Sequence, residues 1–432
     1  MTFNHGLPPE LQERILSFLD IQSLVRCEQV CRYWLHLIRT SSCLYPALWR
    51  GLIRSRPSLE VTLQVHAPPR SPPFHAYARS LHELHRQGYR GSHPQVTVIE
   101  CPIIDPQGQR IEVSETWSAA VNFTGVYDMV WDLDECLMTC SVLDQIQVWD
   151  MRTLSLAQTH SGLSLDGQTS RCVCFSASGQ SLVCGHDDGT VHLKNLLTGS
   201  LIGGVRSVSD FIADLKVLGP EVFCVGLRGR LYRAALGAQG LSTFELLVQY
   251  EGHREYNTRE TERLLECNAR RIVATSRKGF LVYDRVRRTS TFVDCPDNPA
   301  RSYALCLTSC HPDEVFMGYE RGRVSRYSWQ DELWATQTFF TPDLENVTAV
   351  AVDERFLVVG DARGELHIYD KQNMMGPLSL LQVLRTGHAY GSFIWGVHLD
   401  GSRIMSGDSD GKLVVHDFFR DHDPTNRVVR LE

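Results

Sequence analysis

A chain of 432 residues has room for two or three domains, and its 43% hydrophobic content is that of an ordinary folded protein. It holds no apolar run of about 18 residues, which excludes a membrane-spanning helix. The net charge of −7 is uneven: residues 1–66 carry seven Arg against five acids, residues 67–90 carry four Arg against one Glu, and the remainder carries −12. So acidic a region is a poor nucleic-acid binder. The first residues, MTFNHGLPPELQERIL, lack a basic region followed by a long apolar run. The expected location is therefore cytoplasmic or nuclear, where the 14 cysteines stay as thiols. Most sit in apolar runs such as RCVCFS and LVCG and read as small core residues. Cys136 with Cys140, and Cys306 with Cys310 and His311, lack the paired short spacings of a structural zinc site. No metal and no cofactor is expected.

Residues 7–54 read as three short helices. Pro8 and Pro9 stand where a first turn tolerates proline, and Leu11, Ile15, Leu16 and Leu19 follow at helical spacing. Asp20 to Ser23 breaks the pattern, with Ser23 as N-cap. Leu24, Cys27, Cys31, Trp34, Leu35 and Ile38 then repeat three and four apart, and Pro46 opens a third segment with Leu48, Trp49, Leu52 and Ile53. So small a unit cannot bury all of these side chains. The surplus marks a face for a partner or for the rest of the chain, and periodicity alone leaves both open.

The run LPPELQERILSFLDIQSLVRCEQVCRYWLHLIRTSSCLYPALWRGL closely resembles the F-box motif: the opening Leu-Pro, the Glu-Leu pair, Ile-Leu-Ser-Phe-Leu, Val-Cys-Arg-x-Trp and the closing Leu-Trp. The resemblance implies docking to the Skp-type adaptor of a cullin ubiquitin ligase, and through it to a cullin and a RING subunit. The matching positions are Leu7, Pro8, Leu11, Ile15, Leu16, Leu24, Val30, Cys31, Trp34 and Trp49, some of them core and some contact.

A connector over 57–94 follows. VHAPPRSPPFH, 65–75, reads as stiff and extended, and HAYARSLHELHRQGYR as a short helix packed on one of the two modules. Residues 95–125, beginning QVTVIECPIIDPQGQRIEV, read as strands around a turn, either closing the region that follows or adding a unit to it.

From residue 126 to 432 the chain repeats. A turn followed by a short alternating strand recurs as DQIQVWD, DGTVHLKNL, RGRLYRAAL, KGFLVYDR, RGRVSRYSW, RGELHIYD and DGKLVVHDF. The steps, counted from Gln145 through Gly189, Gly229, Gly279, Gly322, Gly364 and Gly411, are 40 to 50 residues, the length of a four-stranded propeller blade. The last unit reads as four strands in sequence: SFIWGVHLD, RIMSGDSD, KLVVHDF and RVVRLE. The array resembles the WD-repeat family: Trp149-Asp150 keeps the name-giving pair, Tyr283-Asp284 and Tyr369-Asp370 come near it, and Gly252-His253 and Gly387-His388 keep the second signature. The expected fold is mainly β, a seven-bladed WD-repeat propeller (eight if 95–125 makes a blade) with a small α-helical F-box domain over 1–56.

No phosphate-cradling loop, G-x-S-x-G elbow or H-E-x-x-H is present, so no catalytic residue is assigned. The functional expectation is a non-catalytic receptor that holds a protein substrate near activated ubiquitin; a scaffold without ligase function is the alternative, and a propeller enzyme a distant third. One feature suggests what is bound. The residue before the turn glycine is Asp188 and Asp410 in two units, but Arg228, Lys278, Arg321 and Arg363 in the four between. In the WD-repeat family this turn joins the second and third strands at the narrow face that commonly receives ligands. Four consecutive basic turns there suit an acidic or phosphorylated peptide. The alternative is that they are solvated, or paired with acids such as Glu320 and Asp361. Arg270, Arg271, Arg285, Arg287 and Arg288 also cluster, but fall on strand ends and a loop and are given no role.

Overall fold

The described residues of the computed structural model are Leu16, residues 94–100, Ile103–Ile104, Arg110–Ile111, and residues 126–418 with short breaks. Leu16 is helical and buried; the remaining F-box positions, Leu7, Pro8, Leu11, Ile15, Leu24, Val30, Cys31, Trp34 and Trp49, and the connector helix lie outside the described residues. The chain divides into two units, residues 1–96 with 400–404 and 416–432, and residues 97–399 with 405–415.

Strands dominate because short β-branched and alternating runs are cut every few residues by Gly, Asp or Asn. Among the described residues they form seven sheets of four or five strands, plus the pair Ile103–Ile104 with Arg110–Ile111. The first sheet uses Val126–Asp132, Leu137–Val142, Gln145–Asp150 and Ser155–Ser161; the second Cys172–Ser178, Ser181–His186, Thr190–Asn195 and Arg206–Ser207. The third uses Ile212–Leu218, Glu221–Gly226, Arg230–Gly237 and Glu245–Gln249, with Gly240–Leu241 added; the fourth Leu265–Cys267, Arg271–Thr275, Gly279–Asp284 and Thr289–Asp294. The fifth uses Ala304–His311, Glu314–Tyr319, Arg323–Gln330 and Leu333–Phe340; the sixth Val347–Val352, Phe356–Asp361, Leu366–Asp370 and Ser379–Leu384. The seventh uses Ile394–Asp400, Arg403–Asp408 and Lys412–Asp417, with Gln95–Glu100 as its outer strand beside Lys412–Asp417.

That last pairing changes one expectation. The sequence reading put RVVRLE, 427–432, at the outer edge of the seventh sheet; those residues lie outside the described ones, and the edge is taken by Gln95–Glu100. An edge strand needs a hydrogen-bonding neighbour, and a segment distant in sequence supplies it as well as a local one. Residues 95–100 therefore complete the seventh sheet and do not start a blade of their own.

From the first sheet to the sixth, first strands are successive neighbours in space. Apolar clusters fill each interval: Val148 with Phe175 and Leu182, Val183 with Ile212 and Leu215, Phe223 with Ile272 and Leu281, Val273 with Met317 and Tyr327, Phe316 with Val350 and Leu357. Sheets stacked face to face in chain order make a β-propeller. A middle strand in such a stack is covered on both faces, so Glu221–Gly226, Arg271–Thr275, Glu314–Tyr319 and Phe356–Asp361 are buried almost throughout. The fourth strand Thr289–Asp294 is exposed along most of its length.

Polar contacts bind the sheets at fixed points. Arg285 after the fourth sheet's third strand pairs with Glu221 of the third sheet, Arg271 pairs with Asp313 of the fifth, and Lys371 after the sixth sheet's third strand reaches Glu314 of the fifth at 2.9 Å. The cysteines Cys172, Cys174, Cys184, Cys224 and Cys267 are free thiols; Cys174, Cys184 and Cys224 are buried, as core cysteines should be. Burial raises the Cys224 thiol far above its ordinary pKa.

Candidate interaction surfaces

The turns singled out in the sequence all join a second strand to a third. Asp188, Arg228, Arg321, Arg363 and Asp410 each precede a glycine of positive φ, and Gly189, Gly229, Gly364 and Gly411 close the turn with an N–H bond to the carbonyl three residues back. At Gly189 (φ 85°) a Cβ would meet the Asp210 carbonyl oxygen at 2.5 Å, so both conformation and space demand glycine. The pairs Trp149-Asp150, Tyr283-Asp284, Tyr369-Asp370 and His416-Asp417 end the third strands of their sheets.

The turn arginines thus stand at corresponding positions of the third, fifth and sixth sheets; Lys278, of the fourth, lies outside the described residues. Arg228 is 58% exposed, its Nε 4.0 Å from Asp210 Oδ1, while its backbone N–H donates to Asp210 Oδ2 at 3.2 Å. Burial raises the Asp210 carboxyl above the ordinary aspartate range, against the pull of the Arg228 and Phe211 N–H groups. Arg321 is exposed, adopts φ 58° and donates its N–H to Asn346 Oδ1 at 3.1 Å. Arg363 is half-buried, and its N–H donates to Asp361 Oδ1 at 2.9 Å. The pairing with Asp361 suggested by the sequence is thus a contact of the Arg363 backbone N–H.

Sequence reasoning missed an aromatic group beside this row. Phe393 is 43% exposed, yet its backbone is fixed: Ser409 N–H donates to its carbonyl at 2.9 Å, and its own N–H donates to Ser409 Oγ at 3.2 Å. Gly391 N–H donates to the Arg363 carbonyl at 3.2 Å, and Ser392 Oγ to Asp410 Oδ2 at 2.5 Å, so the loop bearing Phe393 is tied to two adjacent turns. An exposed aromatic side chain on so anchored a backbone is a candidate contact residue, since aromatic residues are enriched at protein-binding hot spots. The only local signal, GHAYGSFIWG, does not separate Phe393 from core aromatics.

At the opposite strand ends, between the fourth and fifth sheets, lies a cleft of about 110 Å³ lined by Arg270, Arg271, Asp284, Arg287, Trp329 and Trp334 among others. Three of the five arginines given no role from sequence meet here, while Arg285 turns toward Glu221. The Arg271 guanidinium carbon stands 4.7 Å from the Trp329 ring centroid and 5.5 Å from that of Trp334. The Arg287 N–H holds the Asp284 carboxyl below its ordinary pKa despite some burial. Strand-end positions far apart in sequence converge because neighbouring sheets are offset by one blade, which linear spacing does not reveal.

Residues 5–54 match the model of the F-box-like family, and residues 160–193 and 379–417 match the WD domain, G-beta repeat. The chain thus carries both an F-box-like segment and WD repeats. Two curated proteins are similar over a short stretch: F-box/LRR-repeat protein 5 of Danio rerio, 45% identical over 63 residues, and F-box/LRR-repeat protein 5 of Xenopus tropicalis, 49% identical over 47. The alignments take up 14% and 10% of this chain and 9% and 7% of those proteins, so the likeness covers a small part of either. The β-propeller domain of Myceliophteria thermophila Cps50 (Swd1) superposes with a TM-score of 0.53 at 11% identity, covering 68% of this chain and 96% of that one, which establishes the propeller fold alone.

Proposed function

We propose that this F-box/WD-repeat protein is the substrate receptor of an SCF-type ubiquitin ligase. Its F-box docks a Skp-type adaptor, and its propeller, a ring of seven blades closed by Gln95–Glu100, presents a target protein. The carrying observation is the union in one chain of an F-box-like segment and a β-propeller. The chain contributes proximity and no covalent chemistry, raising the local concentration of substrate lysines at the ubiquitin donor. Arg228, Lys278, Arg321 and Arg363, at one turn position of four consecutive sheets, supply forked and point charges for an acidic or phosphorylated peptide. Phe393 supports that reading by adding an exposed apolar side chain on the loop tied through Gly391 to the Arg363 carbonyl.

Two experiments test the two halves. The full chain is expected to co-purify with a Skp-type adaptor and a cullin, and a Leu11→Ala, Trp34→Ala double variant that keeps its β circular-dichroism signal is expected to lose both. Recovery of adaptor without cullin would favour the scaffold reading; no adaptor at all would refute docking. For the turns, changing Arg228, Arg321 and Arg363 together to Glu is expected to weaken capture of acidic or phosphorylated peptides by about three orders of magnitude or more, since each of the three charge-assisted bonds is worth roughly 1.5–3 kcal/mol. Unchanged binding would remove these turns from the recognition surface.

A further inference from the structure

We propose that Asp361, Glu365 and His367 form a site for a divalent transition metal, zinc in the first instance, which clamps the turn between the second and third strands of the sixth sheet. Asp361 ends the second strand and is 0% exposed. Its Oδ1 accepts the backbone N–H groups of Arg363 and Glu365, both at 2.9 Å, while its buried Oδ2 accepts no hydrogen bond. His367, on the third strand, is 2% exposed, and its buried Nε2 also has no hydrogen-bond partner. Two such buried lone-pair atoms facing each other can be bridged by a cation.

The distances say what kind. His367 Nε2 lies 3.7 Å from Asp361 Oδ2 and 3.5 Å from Glu365 Oε2, and the three atoms fall within 4.8 Å of one another. Those separations are too long for hydrogen bonds. They fit the edge of a tetrahedron around zinc, about 3.4 Å for bonds of roughly 2.0–2.2 Å. The other oxygen of Glu365, Oε1, is engaged by Arg385 Nε at 2.8 Å, which leaves Oε2 directed to the site. One imidazole and two carboxylates are a borderline donor set that suits zinc and its first-row neighbours better than magnesium or calcium. Two carboxylates also neutralise a dication, and three protein ligands leave the fourth position open on the side of half-buried Glu365.

The seventh sheet serves as an internal control. There Asp408 takes the place of Asp361, and its Oδ1 accepts N–H groups from Asp410 and Lys412 at 3.0 and 2.8 Å. Its Oδ2, however, is met by His388 Nδ1 at 2.8 Å, and His388 Nε2 contacts Ser406 Oγ at 2.6 Å. The loop entering the sixth sheet, TPDLEN, holds no histidine to do the same. In the seventh sheet Lys412 and Val414 stand where the sixth has Glu365 and His367, so the extra ligands occur where the loop histidine is missing. Among the described residues this is the group of His, Cys, Asp and Glu side chains whose ligand atoms come so close.

The test uses the full chain, stripped with EDTA and titrated with zinc chloride by calorimetry and by thermal melting. About one zinc per chain and a rise of several degrees in the melting midpoint are expected, with magnesium giving neither. His367→Ala should lose both effects, and Glu365→Gln, at a partly exposed position that leaves the strand intact, should weaken zinc at least tenfold. No zinc-dependent shift in the unaltered chain, or an unchanged shift in both variants, would overturn the site. Zinc binding that survives Glu365→Gln at full strength would place the metal elsewhere in the chain and equally reject it.

Discussion

Replacing Glu314 by alanine is expected to destabilise the propeller by about 3–5 kcal/mol, the cost of removing one partner from a buried ion pair. Glu314 opens the second strand of the fifth sheet. Its Oε2 accepts Lys371 Nζ at 2.9 Å from the neighbouring sixth sheet, and its Oε1 accepts Arg326 Nε at 2.6 Å from its own. Lys371 is as deeply placed, with its ammonium also donating to the Asp353 carbonyl at 2.8 Å and lying 5.3 Å from the Phe316 ring centroid. Without the carboxylate, that ammonium loses the anion 2.9 Å away that offsets its burial, whereas the partly exposed Arg326 can turn to water. A Glu314→Leu, Lys371→Met double variant should regain most of the loss, because an apolar pair avoids desolvating either charge. Urea denaturation of the three proteins measures this; a double variant no more stable than Glu314→Ala would show that the loss does not come from the stranded ammonium.

The same contact sets a pH dependence. Burial alone would raise the Glu314 carboxyl, but Lys371 and Arg326 outweigh it and hold the group below its ordinary value of 4.5. A carboxylate with a lowered folded pKa contributes stability that is complete above that ordinary value and is lost as pH falls toward and through the folded one. Stability should therefore fall below about pH 4.5 with a steeper slope than in Glu314→Gln, which cannot titrate.

What the sequence disclosed is what local chemistry dictates. The turn glycines and the aromatic-Asp strand ends are each specified by neighbours in sequence, and the structure puts Gly189, Gly229, Gly322, Gly364 and Gly411 on equivalent turns and the aromatic-Asp pairs at third-strand ends, while Gly279 opens its strand without a positive φ. What it hid depends on partners far along the chain. Gln95–Glu100 alternates like any edge strand, and nothing in its residues says that it pairs with Lys412–Asp417. Arg270, Arg271 and Arg287 meet because Arg271 pairs with Asp284 across the fourth sheet's ladder, and Trp329 and Trp334 join them only because the fourth and fifth sheets stack. His367 was read as a strand residue, and its significance lies in Asp361 and Glu365 across the turn. The F-box positions rest almost wholly on resemblance, with Leu16 the one whose helical, buried setting is described.

A register irregularity in the first strands was equally hidden, and it leads to the second large effect. Against their second strands, the first strands of the first, second, third, fifth and sixth sheets all slip in register, the third between Ile212 and Asp214. Such bulges re-aim side chains, and no residue type signals them. Here Asp214 is buried in the third sheet with its Oδ2 accepting Leu264 N–H at 2.9 Å and Leu265 N–H at 2.8 Å, both from the start of the fourth, while Oδ1 accepts Leu215 N–H at 2.7 Å. The fourth sheet needs this staple: its first strand, Leu265–Cys267, is three residues long and has few ladder bonds of its own. Asp214→Ala leaves three buried donors without that acceptor, at about 1–3 kcal/mol for each donor that stays unpaired, so a loss of roughly 3 kcal/mol or more is expected. Asp214→Asn keeps one acceptor oxygen for the neighbouring sheet but turns an NH₂ toward another donor, and should cost less. Hydrogen exchange distinguishes a staple from a general packing defect. In Asp214→Ala the Leu264 and Leu265 amides should lose protection well beyond that of amides in Phe356–Asp361; uniform loss across both strands would mean that Asp214 contributes only to global stability.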